Sequence, residues 1–151
     1  MSRRRIIGPI FFNENIDAVS YQQLILSPFI EQLHDDELLH GYFQQDGATA
    51  HTARTTMAYL SHYFQERIIS TGRWSPRSPD LTPLDSFMFG YLKNVVYANR
   101  LHTVEELQDS IVNAVNSITT QQLEAVFNNK SKFVFESEWA TFPIFIVKML
   151  L

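Results

Sequence analysis

Three features of the chain predict an α/β fold. Short apolar runs rich in branched and aromatic residues occur at residues 6–12, up to Tyr42 and Phe43, and at residues 67–70. Between and after them lie longer stretches whose apolar residues recur every three to four positions, as on one face of a helix. With 151 residues, 45% of them hydrophobic and 13% aromatic, there is material for one well-buried core.

Residues 6–12 read as a strand, with Pro9 confining it to an edge or a strand start. After the polar turn at residues 13–17, Tyr21, Leu24, Ile25 and Phe29 predict a helix that ends near Leu33 and is kinked by Pro28 in its last turn. Residues 34–37 are charged and read as a solvated loop; adjacent His34, Asp35 and Asp36 point in different directions on a loop and make a poor metal cluster. A strand into Tyr42 and Phe43 then delivers Asp46 and Gly47. From His51 onward, Ala53, Met57, Leu60 and Phe64 mark the apolar face of a helix about three turns long.

Residues 67–70 give a short strand. Pro76, Pro79 and Pro83 exclude regular structure from the segment that follows, which reads as an ordered loop. It leads to a helix whose inner face carries Leu84, Phe87, Tyr91, Leu92 and Val95, with Asp85 in the first turn, where a carboxylate suits the helix dipole. Thr103 and Glu106 form a capping-box signature ahead of Leu107, Ile111, Ala114 and Ile118. Thr119 and Gln122 repeat it for a shorter helix through Phe127. The aromatic residues beyond, from Phe133 to Phe145, follow neither period and predict no element.

Composition removes several classes of function. There is no cysteine, hence no disulfide framework and no thiolate metal site, and any metal must be held by oxygen or imidazole. The net charge of -4 means that nucleic-acid binding would rest on local basic patches. The three arginines at residues 3–5 are too short a run to carry it, and the apolar stretch behind them is too broken for a secretory signal. The apolar end at residues 144–151 is far below the roughly 20 residues of a membrane helix.

Two motifs hold the chemistry. Residues 43–51 read Phe-Gln-Gln-Asp-Gly-Ala-Thr-Ala-His, and residues 74–85 read Trp-Ser-Pro-Arg-Ser-Pro-Asp-Leu-Thr-Pro-Leu-Asp. Asp46, after a strand, and Asp85, in the first turn of a helix, are candidate ligands of hard divalent ions such as Mg²⁺ or Mn²⁺. A pair of such ions activates the attacking oxygen and stabilises the leaving one in phosphodiester chemistry, normally with more than two carboxylates. His51 reads either as a neighbour of that site, donating to a phosphate oxygen, or as the cap of the helix that begins there. Asp80 competes with Asp85 but better suits a loop aspartate bonding nearby amides. Arg77, then Arg54, Arg73 and Lys93, are the basic groups available to a phosphate, and Trp74 either stacks on a base or covers the core.

These motifs, followed by Gly90-Tyr-Leu-Lys, resemble the catalytic domain of mariner-type cut-and-paste DNA transposases, over about residues 7–129. The resemblance implies an RNase H-like fold, a triad of acidic residues binding two divalent ions, DNA at transposon ends as partner, a homodimer and a nuclear location. By motif, Asp46 takes the place of the second acidic residue and Asp85 that of the third. The first lies, in the family, on a strand upstream of the segment similar to residues 6–12.

The expectation is therefore an N-terminally truncated, partial RNase H-like domain over residues 6–129. It would lack its first two strands, carry additional C-terminal helices and have no independent activity. Residues 130–151 diverge from the family's basic ending and form a tail of unassigned structure. A non-catalytic DNA-binding or interaction module derived from a transposase is the alternative. A complete small nuclease would instead need Glu14 or Asp17, which fall in a polar turn, within roughly 6 Å of Asp46 and Asp85.

Overall fold

The computed structural model describes residues 2, 4–13, 15–70, 87–98, 101–134 and 144–147. They fall into two compact units, one drawn from Phe12–Arg77 and Thr141–Leu151, the other from Ser2–Phe11 and Ser78–Ala140. Helices dominate, and three strands form one parallel sheet, so the chain is α/β.

The first unit opens with helical chain in three pieces: α1 (Ala18–Ser20), a π-helical stretch (Tyr21–Leu26) and α2 (Ser27–Glu31). Asp17 caps the start, its Oδ1 accepting from Ser20 N at 2.8 Å, and those amide bonds hold its carboxyl below the usual range. The expected kink at Pro28 takes a particular form. Proline has no N–H and crowds the carbonyl four residues back, and the helix widens just ahead of it, Ser27 N donating to Gln22 O.

Residues 34–37 are not a loop. Glu37 is buried and its Oε2 accepts from His34 N at 3.0 Å, which anchors α3 (Asp35–His40) with three acidic side chains in its first turn. β1 (Tyr42–Gln45) follows, then α4 (Thr49–Thr52), a break at Ala53, α5 (Arg54–Phe64) and β2 (Ile68–Ile69). β1 is central, pairing in parallel with β2 (Phe43 opposite Ile68) and with β3 (Ile144–Val147, Tyr42 opposite Ile144). Strand β3 thus lies within the tail for which the sequence predicted no element.

An aromatic chain forms this unit's core. Phe145 packs edge-on against Phe29 at 5.6 Å, Phe29 against Phe43 at 5.6 Å, and Phe43 against Phe64 at 5.2 Å between ring centroids. Each such pair contributes about 0.5–1.5 kcal/mol beyond the area it buries. Ile25, Leu26, Leu60 and Ile69 fill in around them.

The second unit contains α6 (Phe89–Ala98), α7 (Val104–Asn116) and α8 (Thr120–Val134). Both sequence-predicted capping boxes are formed. Thr103 Oγ1 accepts from Glu106 N at 3.1 Å while Glu106 Oε2 accepts from Thr103 N at 3.3 Å. Gln122 Oε1 likewise accepts from Thr119 N at 2.9 Å. α8 runs past Phe127, where the periodicity of its apolar residues stops. α6 and α7 are tied by the Tyr91 and Ser117 hydroxyls, 2.7 Å apart.

Residues 6–12, expected to be a strand, are irregular, and all but Phe12 belong to this second unit. Gly8 at φ +105° and Pro9, with no N–H to offer a ladder, break the run, and no strand pairs with it among the described residues. No helix among the described residues is long and apolar enough to cross a membrane.

Candidate functional site

Asp46 is the first residue beyond β1, so its carboxylate stands at the carboxyl end of the central strand of the sheet. Its Oδ1 accepts from Ala48 N at 3.0 Å, closing a tight turn around Gly47. The next turn winds on Ala48 O, which receives His51 N at 3.0 Å and Thr52 N at 3.0 Å to form α4. Thr56 Oγ1 then donates to Ala50 O at 2.7 Å, joining α4 to α5 across the break at Ala53.

His51 Nδ1 lies 2.7 Å from Asp46 Oδ1. The two atoms meet as a close polar contact. The imidazole is fully buried and packs on the Tyr21 ring, with centroids 4.3 Å apart and planes tilted by 34°. His51 is therefore not a helix cap: Ala53 occupies the N-cap of α5, and His51 lies in the last turn of α4.

Two further residues, Gln45 and Tyr21, complete the cluster. The buried Gln45 amide accepts from Tyr21 Oη at 3.2 Å and donates from Nε2 to His51 O at 2.9 Å, locking strand, turn and first helix together. Burial pushes the Tyr21 hydroxyl pKa well up, and the negative charge of Asp46 adds to the effect. The sequence signal for this network was the pair Gln44 and Gln45 within an otherwise apolar strand. Such a pair, buried, must be explained by partners. Gln45 has them, while Gln44 Oε1 is buried without a hydrogen-bond partner among the described residues.

Arg54 is exposed at the start of α5, in the same unit as Asp46, and Lys93 is exposed on α6, in the second unit. Arg73, Trp74, Arg77, Asp80 and Asp85 lie outside the described residues. Asp17 Oδ1 is engaged on Ser20 N as a helix cap, and Glu14 also lies outside the described residues.

For a hard divalent ion the donor chemistry of Asp46 is suitable: a carboxylate, 45% exposed, held by its own turn. The number of donors is not met by the described residues, among which no group of three or more His, Cys, Asp or Glu is placed to hold an ion.

No family model matches the chain. Over 128 residues it is 30% identical to "Transposable element Tc3 transposase" of Caenorhabditis elegans, a match covering 83% of this chain and 37% of that relative. At most about a sixth of the chain lies outside it, so it spans both Asp46 and Asp85. The chain thus corresponds to little more than a third of the relative's length. The similarity supports a relationship between this chain and transposases of the Tc1/mariner type.

Proposed function

We infer that the chain is part of a transposase catalytic domain with an RNase H-like sheet, and that Asp46 and Asp85 are two carboxylate ligands of Mg²⁺ or Mn²⁺. The observation that carries this reading is the position of Asp46: a half-exposed carboxylate at the carboxyl end of the central strand, fixed by its turn and by buried His51. It lies in a stretch similar to a transposase. Bound divalent ions would supply activation of the attacking oxygen and stabilisation of the leaving one in DNA strand cleavage and joining. The chain's own contribution is to hold the Asp46 carboxylate in place. The Ala48 amide fixes Oδ1, and the His51 ring, immobilised against Tyr21, limits its swing.

DNA is the proposed partner, with Arg54, Lys93, Arg73 and Arg77 as phosphate contacts, and the nucleus the proposed location. Two carboxylates are fewer than a two-ion centre normally draws on, so this chain alone is expected to bind DNA without cutting it.

The test is thermal unfolding of the purified chain during Mn²⁺ or Mg²⁺ titration, beside binding to DNA carrying Tc1/mariner terminal repeats at several salt concentrations. The midpoint should rise with metal in the wild type and not in Asp46→Asn, while DNA affinity falls steeply with salt in both. A wild type indifferent to metal would sink the ligand assignment. Retained salt-dependent DNA binding would then favour a non-catalytic DNA-binding module.

A further inference from the structure

The His51 imidazole meets Asp46 through one nitrogen, Nδ1, which lies 2.7 Å from Asp46 Oδ1. An ionised carboxylate offers acceptors alone, so a bare Nδ1 lone pair at that distance would be repelled, and the ring proton belongs on Nδ1. Nε2 is buried and has no hydrogen-bond partner among the described residues. Nothing at Nε2 fixes the ring, and its orientation must come from elsewhere.

Tyr21 supplies it twice. Its ring packs on the imidazole, with centroids 4.3 Å apart. Its hydroxyl donates to Gln45 Oε1 at 3.2 Å, and that bond decides which end of the Gln45 amide turns towards His51: the Nε2 end, which donates to His51 O at 2.9 Å. One side chain from the π-helical stretch thus holds both the ring and the backbone carbonyl of His51. Tyr21, Gln45 and His51 are all buried, in the same compact unit as Asp46.

We propose that Tyr21 is a positioning residue for the Asp46 carboxylate, acting on it through the His51 ring and, by way of Gln45, through the His51 backbone. What is fixed is the Nδ1 edge of the imidazole against Oδ1, which leaves the carboxylate less freedom to lose when it takes a ligand. The consequence for a divalent ion rests on the reading of Asp46 as a metal ligand; the positioning itself does not.

The first measurement is made without metal, by nuclear magnetic resonance of the full chain labelled at its histidine ring nitrogens. The His51 signals, assigned by their loss in His51→Gln, should show one tautomer with the proton on Nδ1. Tyr21→Phe keeps the ring, removes the hydroxyl and should bring in the second tautomer. Ile69→Val, a buried substitution in β2 that loosens the same unit, should leave the tautomer unchanged. A wild-type ring protonated on Nε2 alone would overturn the proposal. So would equal behaviour of Tyr21→Phe and Ile69→Val, whether both alter the ring or neither does.

The second measurement is Mn²⁺ binding, followed by the paramagnetic resonance of the free ion. Tyr21→Phe should weaken it about tenfold, the size expected when an outer partner of a ligand is lost, with Ile69→Val near wild type. Gln45→Leu should weaken it as much, and the double variant Tyr21→Phe with Gln45→Leu no further, because the hydroxyl acts through that amide. Losses that add in the double variant would overturn the route through Gln45. A wild type that binds no Mn²⁺ yet shows the ring change in Tyr21→Phe would remove the ligand reading and leave the positioning standing.

Discussion

Asp46 and His51 approach to 2.7 Å across the boundary between solvent and core: the aspartate side chain is 45% exposed and the imidazole has no exposed surface. The two should differ sharply in what they contribute to stability. His51→Ala removes a ring packed on Tyr21 and leaves a cavity, at a cost of about 2–4 kcal/mol. Asp46→Ala forfeits the bond from the Ala48 amide and the contact with His51 but, at a half-exposed position, opens no cavity and should cost about 1 kcal/mol. Urea midpoints of the two variants measure the difference, and equal losses would contradict this division of roles.

Tyr21 sets a pH limit. Its folded pKa is raised above the ordinary tyrosine value, by burial first and by Asp46 second. Between the unfolded and the raised folded pKa, the folded chain holds a proton that the unfolded chain has released. The stability from this group is therefore complete below about pH 10 and declines as pH rises further. Tyr21→Phe should cost about 1 kcal/mol at neutral pH, since Gln45 Oε1 loses its donor, and should flatten the alkaline decline. Urea midpoints between pH 8 and pH 11 test this, and an unchanged alkaline slope in the variant would refute it.

Arg67 gathers three backbone carbonyls, Gly41 O at 2.7 Å, Leu38 O at 2.9 Å and Tyr63 O at 3.3 Å. It thereby ties the end of α3 and the approach to β1 to the end of α5. Arg67→Met should cost about 2–3 kcal/mol. Arg67→Lys should recover less than half of that, because an ammonium cannot present the planar fork of donors. A fully stable Arg67→Lys variant would show that charge, and not geometry, holds this corner.

Gln65 closes α5 at φ 52°, ψ −123°, a backbone conformation open to glycine and costly for a residue with a Cβ. Gln65→Gly should raise stability by about 0.5–1 kcal/mol. Most glycine substitutions lower stability, so a rise in the denaturation midpoint would be diagnostic of this backbone geometry.

Local signals in the sequence carried much of the first unit. The order strand, Asp46, helix, strand was legible because the apolar periods of residues 42–69 are set by one buried face each. The capping boxes at Thr103 and Thr119 were legible because each is a four-residue code. Helix α3 was hidden because its stabilising features, Glu37 reaching back to His34 and an acidic first turn, resemble a solvated charge run when burial is unknown. The π-helical turns ahead of Pro28 answer a clash that periodicity does not register. β3 was unreadable for a different reason. Four apolar residues become a strand only when an edge is offered, and the edge belongs to a segment about a hundred residues earlier. The residues around His51 followed the same pattern: Asp46 and His51 stood out by motif, while Gln45 and Tyr21 joined them only through tertiary contact.

The two neighbours of β1 also differ in when they become available. Ile68 and Ile69 follow β1 by about 25 residues, and Ile144–Val147 by about a hundred. At about 5–20 residues per second of synthesis, the first partner emerges within about 1–5 s and the second about 5–20 s after β1. During that interval one side of β1 has unsatisfied backbone groups and an uncovered Phe29. A chain still on the ribosome thus passes through a stage with an open, sticky edge, and crowded synthesis or slow elongation should raise its tendency to aggregate.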